Sequence, residues 1–142
     1  MAVNLKQLAV EFEDPNKIGI TSGHRLCPGC AAPMTAKMAL MVAKHLGYDV
    51  VVGLATGCLE VSTTIFPYSA WSVPYIHNAF ENVAATISGV ETAYRALKKR
   101  GKLKREKPIK FIAFGGDGGT YDIGLQALSG AVERGHDFLY IL

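Results

Sequence analysis

Apolar residues recur along this chain with two different periods. Three segments carry apolar residues three or four positions apart, which is typical of amphipathic helices, and three short runs are largely apolar, which is typical of buried parallel strands. Strands that alternate with helices form a parallel sheet with helices on its faces, so the predicted fold class is α/β. The predicted helices are Ala32–Leu46, Asn78–Lys99 and Tyr121–Glu133, and the predicted strands are Val50–Leu54, Ile109–Phe114 and Phe138–Leu142.

The remaining segments define the expected domain organisation. Residues 1–26 are rich in turn formers and are predicted to be an irregular arm. Ala55–Asn78 is predicted to be a loop, and loops of that length are usually functional. The third predicted strand ends with the sequence at Leu142, and a sheet of three strands leaves much apolar surface uncovered. We therefore expect residues 1–142 to form one domain whose fold is incomplete at the C-terminus.

Three groups of side chains have expected packing roles. Trp71 is expected to pack within the loop together with Phe66 and Tyr68. Asn78 and Glu81 have the spacing of a capping box at the start of the second helix. The methionine-rich face of the first predicted helix is expected to belong to the core, and it contains Met34, Met38, Met41, Val42 and Leu46.

The composition excludes several classes of protein. Hydrophobic residues make up 49% of the chain and charged residues 19%, which is globular and not disordered. The longest nearly uncharged stretch, Leu59–Phe80, is too rich in Ser, Thr, Pro, His and Asn to span a membrane. Residues 1–14 lack the basic and apolar regions of a signal peptide, so a cytoplasmic location is expected.

Positive charge is concentrated in one segment. Lys98–Lys110 contains eight Lys or Arg residues and one acid, a local net charge of +7, and the rest of the chain therefore carries −4. A nucleic-acid-binding face would spread its charge over a structured surface interleaved with aromatic residues, so no nucleic-acid partner is expected. The segment is interpreted as a solvated loop, and the alternative is an electrostatic contact with an acidic partner subunit.

The sequence GGDGGT at Gly115–Thr120 follows a predicted strand and precedes a predicted helix. At such a position glycines let a phosphate approach the backbone, and the helix N-terminus favours an anion. The segment is neither a Walker A motif nor a Rossmann fingerprint, because no Gly-Lys-Ser/Thr follows and Tyr121 occupies the third glycine position. Asp117 would repel a bare phosphate, so it is expected to bind Mg²⁺, which in turn binds a diphosphate. The alternative is a simple glycine-rich turn with a capping aspartate.

The three cysteines form the second candidate site. Cys27 and Cys30 make a Cys-x-x-Cys motif, and Cys58 follows the first predicted strand. An odd number excludes a closed set of disulfides, and a cytoplasmic chain favours metal or redox chemistry. A [4Fe-4S] cluster takes four thiolates, so the fourth would come from elsewhere. The alternatives are a zinc site completed by His24 or His45, a thioredoxin-like redox pair, and three unrelated structural cysteines.

Several stretches of the chain resemble the β subunit of the 2-oxoacid:ferredoxin oxidoreductases, most closely the four-subunit pyruvate synthase type. The resemblance implies the parallel-sheet thiamine-diphosphate-binding α/β fold, with thiamine diphosphate, Mg²⁺ and a [4Fe-4S] cluster as cofactors. The matching stretches are GHRLCPGC (23–30), ATGCLEV (55–61), FPYSAW (66–71), HNAFEN (77–82) and GGDGGTYDIGLQALSG (115–130).

The resemblance also implies a role for individual residues. Cys27, Cys30 and Cys58 would supply three of the four cluster ligands, and Asp117 would bind Mg²⁺. No catalytic residue is implied within this chain. The fourth cluster cysteine and the remaining Mg²⁺ ligands would follow Leu142, so the 142 residues alone are expected to be inactive. The residues implied to contact the cofactor are Gly57, Cys58, Gly116, Asp117, Gly118 and Gly119.

The activity implied by the resemblance is the reversible, coenzyme A-dependent oxidative decarboxylation of pyruvate to acetyl-CoA and CO₂. Ferredoxin would accept the electrons, and the α, γ and δ subunits of the oxidoreductase would be the protein partners. Two alternatives stay open. One is a subunit of a branched-chain 2-oxoacid:ferredoxin oxidoreductase, and the other is a zinc-stabilised interaction module without catalytic activity.

Overall fold

The computed structural model describes residues 4, 6, 10, 14 and 18–142. Half of the predicted arm, residues 1–26, therefore lies outside the described residues. From Ala31 onward, helices and strands alternate as the apolar pattern indicates. They are α1 (Ala31–His45), β1 (Asp49–Ala55), α2 (Cys58–Thr63), β2 (Tyr75–Asn78), α3 (Val83–Lys99), β3 (Ile109–Phe114), a π-helical turn (Gly118–Asp122), α4 (Leu125–Glu133) and β4 (Leu139–Ile141).

The four strands form one sheet in the order β2-β1-β3-β4, and every neighbouring pair is parallel. This confirms the predicted α/β class with a parallel sheet. Because the strands are parallel, their carboxyl ends meet at one edge, where Phe114 aligns with both Leu54 and Ile141. The chain leaves β1 to one side and returns to β3 on the other side. At the carboxyl edge, the loops that follow β1 and β3 therefore diverge from each other. Open α/β sheets bind ligands in the crevice between such loops.

Successive side chains of each strand point to opposite faces of the sheet, so each face has its own core. On the first face, Val52 and Leu54 pack with Leu40 of α1 and with Trp71. On the second face, Ala113 and its neighbours pack against α3, and α4 packs against α3 in turn. A Cβ atom at Gly53 would overlap the side chain of Ile87, so the glycine lets α3 lie close to the sheet.

Two expectations about the middle of the chain are wrong. Ala55–Asn78 is not all loop, because it contains the short helix α2 and the edge strand β2. β2 has only four residues, two of them polar. It is a strand because it pairs with β1, and the local sequence pattern gives no sign of this pairing. As a consequence α3 begins at Val83, and Asn78 is buried in β2 instead of capping the helix. Asn82 precedes the helix, and its side chain makes no capping hydrogen bond.

Two further expectations are wrong in part. In the last predicted helix, α4 starts at Leu125 because the π-helical turn takes up the preceding residues. On the methionine-rich face of α1, Met41 is buried, but Met34 and Met38 are 59% and 48% exposed. Met38 borders an apolar groove of about 620 Å³ that α1 forms with β3 and β4. The face was therefore correctly identified as apolar, but the described residues cover only part of it.

The loop aromatics are divided between the core and the surface. Trp71 is buried, as expected, and its Nε1 donates a hydrogen bond to the Thr63 hydroxyl at 2.8 Å. Phe66 and Tyr68 are 94% and 77% exposed, so their expected packing with Trp71 is wrong. The indole instead packs against the rings of Tyr75 and Phe114, with ring centroids 6.3 and 6.0 Å away, and the backbone of Trp71 pairs with that of Ile20.

The basic segment connects α3 to β3 at the amino edge of the sheet. Its residues from 98 to 108 are exposed apart from the partly buried residue 103, as expected for a solvated loop. Arg105 pairs with Asp49 at 2.9 Å, and Lys110 pairs with Asp137 at 3.2 Å. None of the helices in the described part of the chain is both long enough and apolar enough to cross a bilayer.

Candidate functional site

A cavity of about 540 Å³ opens at the carboxyl edge of the sheet. Its walls are the ends of β1, β3 and β4, the first turns of α1 and α2, and the ring of Phe80. Four of the residues singled out in the sequence line it together, although they come from two loops some 60 positions apart. They are Gly57, Cys58, Gly116 and Asp117.

The glycine turn after β3 is packed so tightly that three of its four glycines exclude a side chain. A Cβ atom at Gly118 would lie 2.7 Å from the ring of Phe80, and one at Gly119 would lie 2.9 Å from the Phe80 carbonyl oxygen. At Gly115 a Cβ atom would overlap the Tyr140 hydroxyl. Gly116 differs, because a Cβ atom there would meet nothing within 4 Å. The backbone is thus fixed on its inner side and open on the side of the cavity.

Asp117 is the one acidic residue that lines this cavity. Its side chain is exposed, and its backbone has helical geometry at the start of the π-helical turn. An exposed carboxylate beside an open stretch of backbone fits a hard cation held together with phosphate oxygens, because Mg²⁺ is usually bound by one or two carboxylates plus substrate phosphates. Among the described residues that line the cavity, Asp117 supplies the one such carboxylate, and the Mg²⁺ site stays a prediction.

One of the three cysteines, Cys58, lines this cavity, and Cys30 directly precedes Ala31, which also lines it. The amide of Cys30 donates a hydrogen bond to the carbonyl of Cys27 at 3.1 Å, which closes a tight turn immediately before α1. Cys58 is the first residue of α2. All three thiols are free, and those of Cys27 and Cys58 are exposed. Free thiols have the donor chemistry that an iron–sulfur cluster requires.

The structure does not bring the three thiols into a finished metal site. Among the described residues, no three His, Cys, Asp or Glu side chains are placed to share one metal ion. The cluster assignment therefore stays a prediction. His45 is excluded as a fourth ligand, because it ends α1 whereas Cys30 precedes it, and a helix of 15 residues is about 22 Å long. His24 lines a separate cavity of about 310 Å³ with Arg25.

Comparison with known proteins agrees with the position of the cavity. A family described as "Thiamine pyrophosphate enzyme, C-terminal TPP binding domain" matches residues 55–142, more than half of the chain. The chain belongs to this family. The matched span starts at the last residue of β1 and contains Gly57, Cys58 and the whole glycine turn. Cys27 and Cys30 lie before it.

Relatives of this thiamine pyrophosphate enzyme chain extend well beyond it. It is 73% identical over 142 residues to the pyruvate synthase subunit PorB of Thermotoga maritima. The aligned residues make up all of this chain and 44% of the relative. The subunit PorB of Methanocaldococcus jannaschii is 57% identical over 134 residues, covering 94% and 44%. The ketoisovalerate oxidoreductase subunit VorB of Pyrococcus abyssi is 40% identical over 137 residues, covering 96% and 41%. The resemblance found in the sequence is confirmed, and the chain spans less than half the length of these curated relatives.

Glu60, two residues after Cys58, is a buried carboxylate that was not predicted from the sequence. Glu60 in α2 is 5% exposed, and its Oε1 lies 2.7 Å from the Nδ1 of His77 and accepts a hydrogen bond from the Thr64 hydroxyl at 2.7 Å. Its Oε2 is buried without a hydrogen-bond partner among the described residues. The pair joins the helix that begins with Cys58 to the carboxyl end of β2. No sequence signal pointed to it, because β2 itself was not predicted.

Proposed function

We propose that this chain is part of a pyruvate:ferredoxin oxidoreductase (pyruvate synthase) subunit that binds thiamine diphosphate and a [4Fe-4S] cluster. The observation that carries the proposal is the cavity at the carboxyl edge, which gathers Gly57, Cys58, Gly116 and Asp117 in a chain 73% identical to a pyruvate synthase subunit. The reaction is the reversible, coenzyme A-dependent oxidative decarboxylation of pyruvate to acetyl-CoA and CO₂, with ferredoxin as electron acceptor.

The glycine turn and Asp117 would hold the diphosphate end of the cofactor. The open backbone at Gly116 lets phosphate oxygens approach, and the Asp117 carboxylate at the same wall holds the Mg²⁺ that neutralises them. Gly118 and Gly119 let this turn lie close to the ring and the backbone of Phe80. When bound, thiamine diphosphate supplies the nucleophilic carbon and the electron sink that decarboxylation of a 2-oxoacid requires.

Cys27, Cys30 and Cys58 would hold the cluster, with a fourth thiolate from outside the described residues. Support comes from the three free thiols and from the position of Cys58 at the cavity wall, which would put the cluster beside the cofactor. Iron–sulfur clusters transfer electrons, and ferredoxin would receive them, with the α, γ and δ subunits as the other partners. Free thiols of this kind persist in a reducing compartment, so we also propose a cytoplasmic location.

The decisive experiment uses the full-length protein assembled with its partner subunits. Asp117→Asn should weaken Mg²⁺-dependent binding of thiamine diphosphate by at least about tenfold, because a charged ligand is lost. Asp122→Asn is the matched control, since Asp122 is an exposed aspartate in the same π-helical turn that does not line the cavity. Equal cofactor affinity of the two variants would contradict the assignment of Asp117.

The cluster is tested in the same preparation. Cys27→Ser should remove a [4Fe-4S] signal from the visible and EPR spectra of the anaerobic protein, whereas stoichiometric zinc without iron and sulfide would support the interaction module instead.

A second candidate substrate class is supported by one observation. The chain is 40% identical to a ketoisovalerate oxidoreductase subunit over 137 residues. Pyruvate is favoured because the identity to pyruvate synthase subunits reaches 73%. The ratio of kcat/KM for pyruvate to that for ketoisovalerate, measured on the assembled enzyme, separates the two, and a ratio below one would select the branched-chain substrate.

A further inference from the structure

The glycine turn contacts a pair of hydroxyl groups, those of Thr120 and Tyr140, which do not line the cavity. The Thr120 hydroxyl donates a hydrogen bond to the Gly116 carbonyl oxygen at 2.7 Å and lies 3.0 Å from the hydroxyl of Tyr140. Thr120 is 3% exposed, so this contact is shielded from water. A threonine hydroxyl has a single hydrogen, which here goes to Gly116, so the Tyr140 hydroxyl is the donor in the second bond.

The same tyrosine hydroxyl lies directly against the backbone of the turn. Tyr140 Oη is also 3.5 Å from the Gly119 carbonyl oxygen, and it occupies the space that a side chain at Gly115 would need. Tyr140 belongs to β4, which pairs with β3 immediately before the turn. The turn is therefore joined to the neighbouring strand by a side-chain hydrogen bond, from Tyr140 to Thr120, as well as by the sheet.

We propose that Tyr140 and Thr120 are positioning residues for the cofactor-binding turn. Their hydroxyls hold the Gly116 carbonyl on the inner side of the turn. Because a peptide unit is planar and trans, the N–H of Asp117 then points the opposite way. The orientation of this one peptide sets both that N–H and the carboxylate of Asp117 relative to the cavity. This inference rests on the proposed thiamine diphosphate site.

The experiment measures cofactor affinity in the full-length protein assembled with its partner subunits. Tyr140→Phe removes only the hydroxyl, and it should raise the dissociation constant for thiamine diphosphate at fixed Mg²⁺ by about three- to tenfold, the effect of one neutral hydrogen bond. Thr120→Val should have a similar or larger effect, and Thr120→Ser, which keeps the hydroxyl, should restore most of the affinity. In steady-state assays the rise in the apparent KM for the cofactor should exceed the fall in kcat.

The matched control is Tyr94→Phe. The Tyr94 hydroxyl also contacts a backbone amide, that of Ile109 at 3.5 Å, but at the amino edge of the sheet and away from the cavity. This variant should bind the cofactor as the wild type does. A wild-type protein that does not bind thiamine diphosphate at all would refute the proposed function.

Other outcomes overturn the positioning role alone. One such outcome is that the wild type binds the cofactor and that the Tyr140→Phe and Tyr94→Phe variants bind it with equal affinity. Another is a loss of affinity in Thr120→Ser as large as in Thr120→Val, because that would assign the effect to packing and not to the hydroxyl. The threonine pair keeps the test decisive even if Tyr140→Phe does not fold.

Discussion

The two edges of the parallel sheet, about 20 Å apart along β3, are built in different ways. At the carboxyl edge the glycine turn is closely packed against Phe80, Tyr140 and the start of α4, and most of its glycines leave no room for a side chain. At the amino edge, long charged side chains extend into solvent, and their ion pairs lie on the surface. Close packing therefore constrains the backbone atoms at the carboxyl edge, whereas the residues at the amino edge mainly determine the surface charge. Substitutions at the two edges should differ accordingly.

The largest contrast is expected between two glycines. A Cβ atom at Gly124 would overlap the Gly119 carbonyl oxygen, which is backbone and cannot move aside cheaply. Gly124→Ala should lower the free energy of unfolding by about 3 kcal/mol or more and abolish cofactor binding. Gly89 lies within α3, where a Cβ atom meets nothing within 4 Å, so Gly89→Ala should raise the free energy of unfolding by up to about 1 kcal/mol.

Chemical denaturation of the full-length variants measures both effects. If Gly124→Ala were as stable as the wild type, the backbone at the carboxyl edge would be less constrained than the contacts indicate.

The difference between the edges also explains what could be predicted from the sequence. Strand β3 and the position of Asp117 follow from local signals, a buried apolar run and a cluster of glycines, and the structure places both as expected. The partners of that turn do not follow. Tyr140 is 20 residues away from Thr120, and its contact with the turn depends on the pairing of β4 with β3.

The same reasoning applies to the errors. β2 and the Glu60–His77 pair exist only through tertiary contacts, and a four-residue strand with polar positions has no distinctive period. The methionine-rich face of α1 shows the opposite case. Its period correctly predicted a helix, but a period cannot indicate how much of an apolar face is covered, and Met38 is half exposed.

An intermediate contrast is expected between two polar side-chain pairs of similar length. At the carboxyl edge His77 lies 2.7 Å from Glu60, whose side chain is 6% exposed, and at the amino edge Arg105 lies 2.9 Å from Asp49, which is 42% exposed. His77→Ala leaves a buried carboxylate with one partner fewer and should cost about 1–2 kcal/mol of unfolding free energy. Arg105→Ala should cost less than about 1 kcal/mol, because exposed pairs contribute little.

The unfolding of both variants, His77→Ala and Arg105→Ala, is measured in urea at low salt and at 0.5 M salt. The effect of Arg105→Ala should shrink at the higher salt concentration, while that of His77→Ala should persist. A larger cost for the exposed pair would reverse the ranking of the two edges.

The smallest effect is expected at Lys44, near the amino edge. Burial lowers the pKa of Lys44 from its ordinary value of 10.5, and Asp14 and Asp49 offset part of this decrease. Between the lowered pKa and 10.5 the unfolded chain binds more protons than the folded chain, so the contribution of Lys44 to the unfolding free energy rises with pH across that window. Lys44→Gln should remove this rise, and the stability difference between wild type and variant should shift in favour of the wild type as the pH approaches 10.5.

Lys98→Gln, which removes an exposed lysine at the end of α3, controls for the general loss of one lysine charge. Urea denaturation of the three proteins at several pH values up to 10.5 provides the measurement. A shift in the opposite direction for Lys44→Gln would mean that the two carboxylates outweigh burial. Side-chain electrostatics would then constrain the amino edge more strongly than its exposed ion pairs suggest.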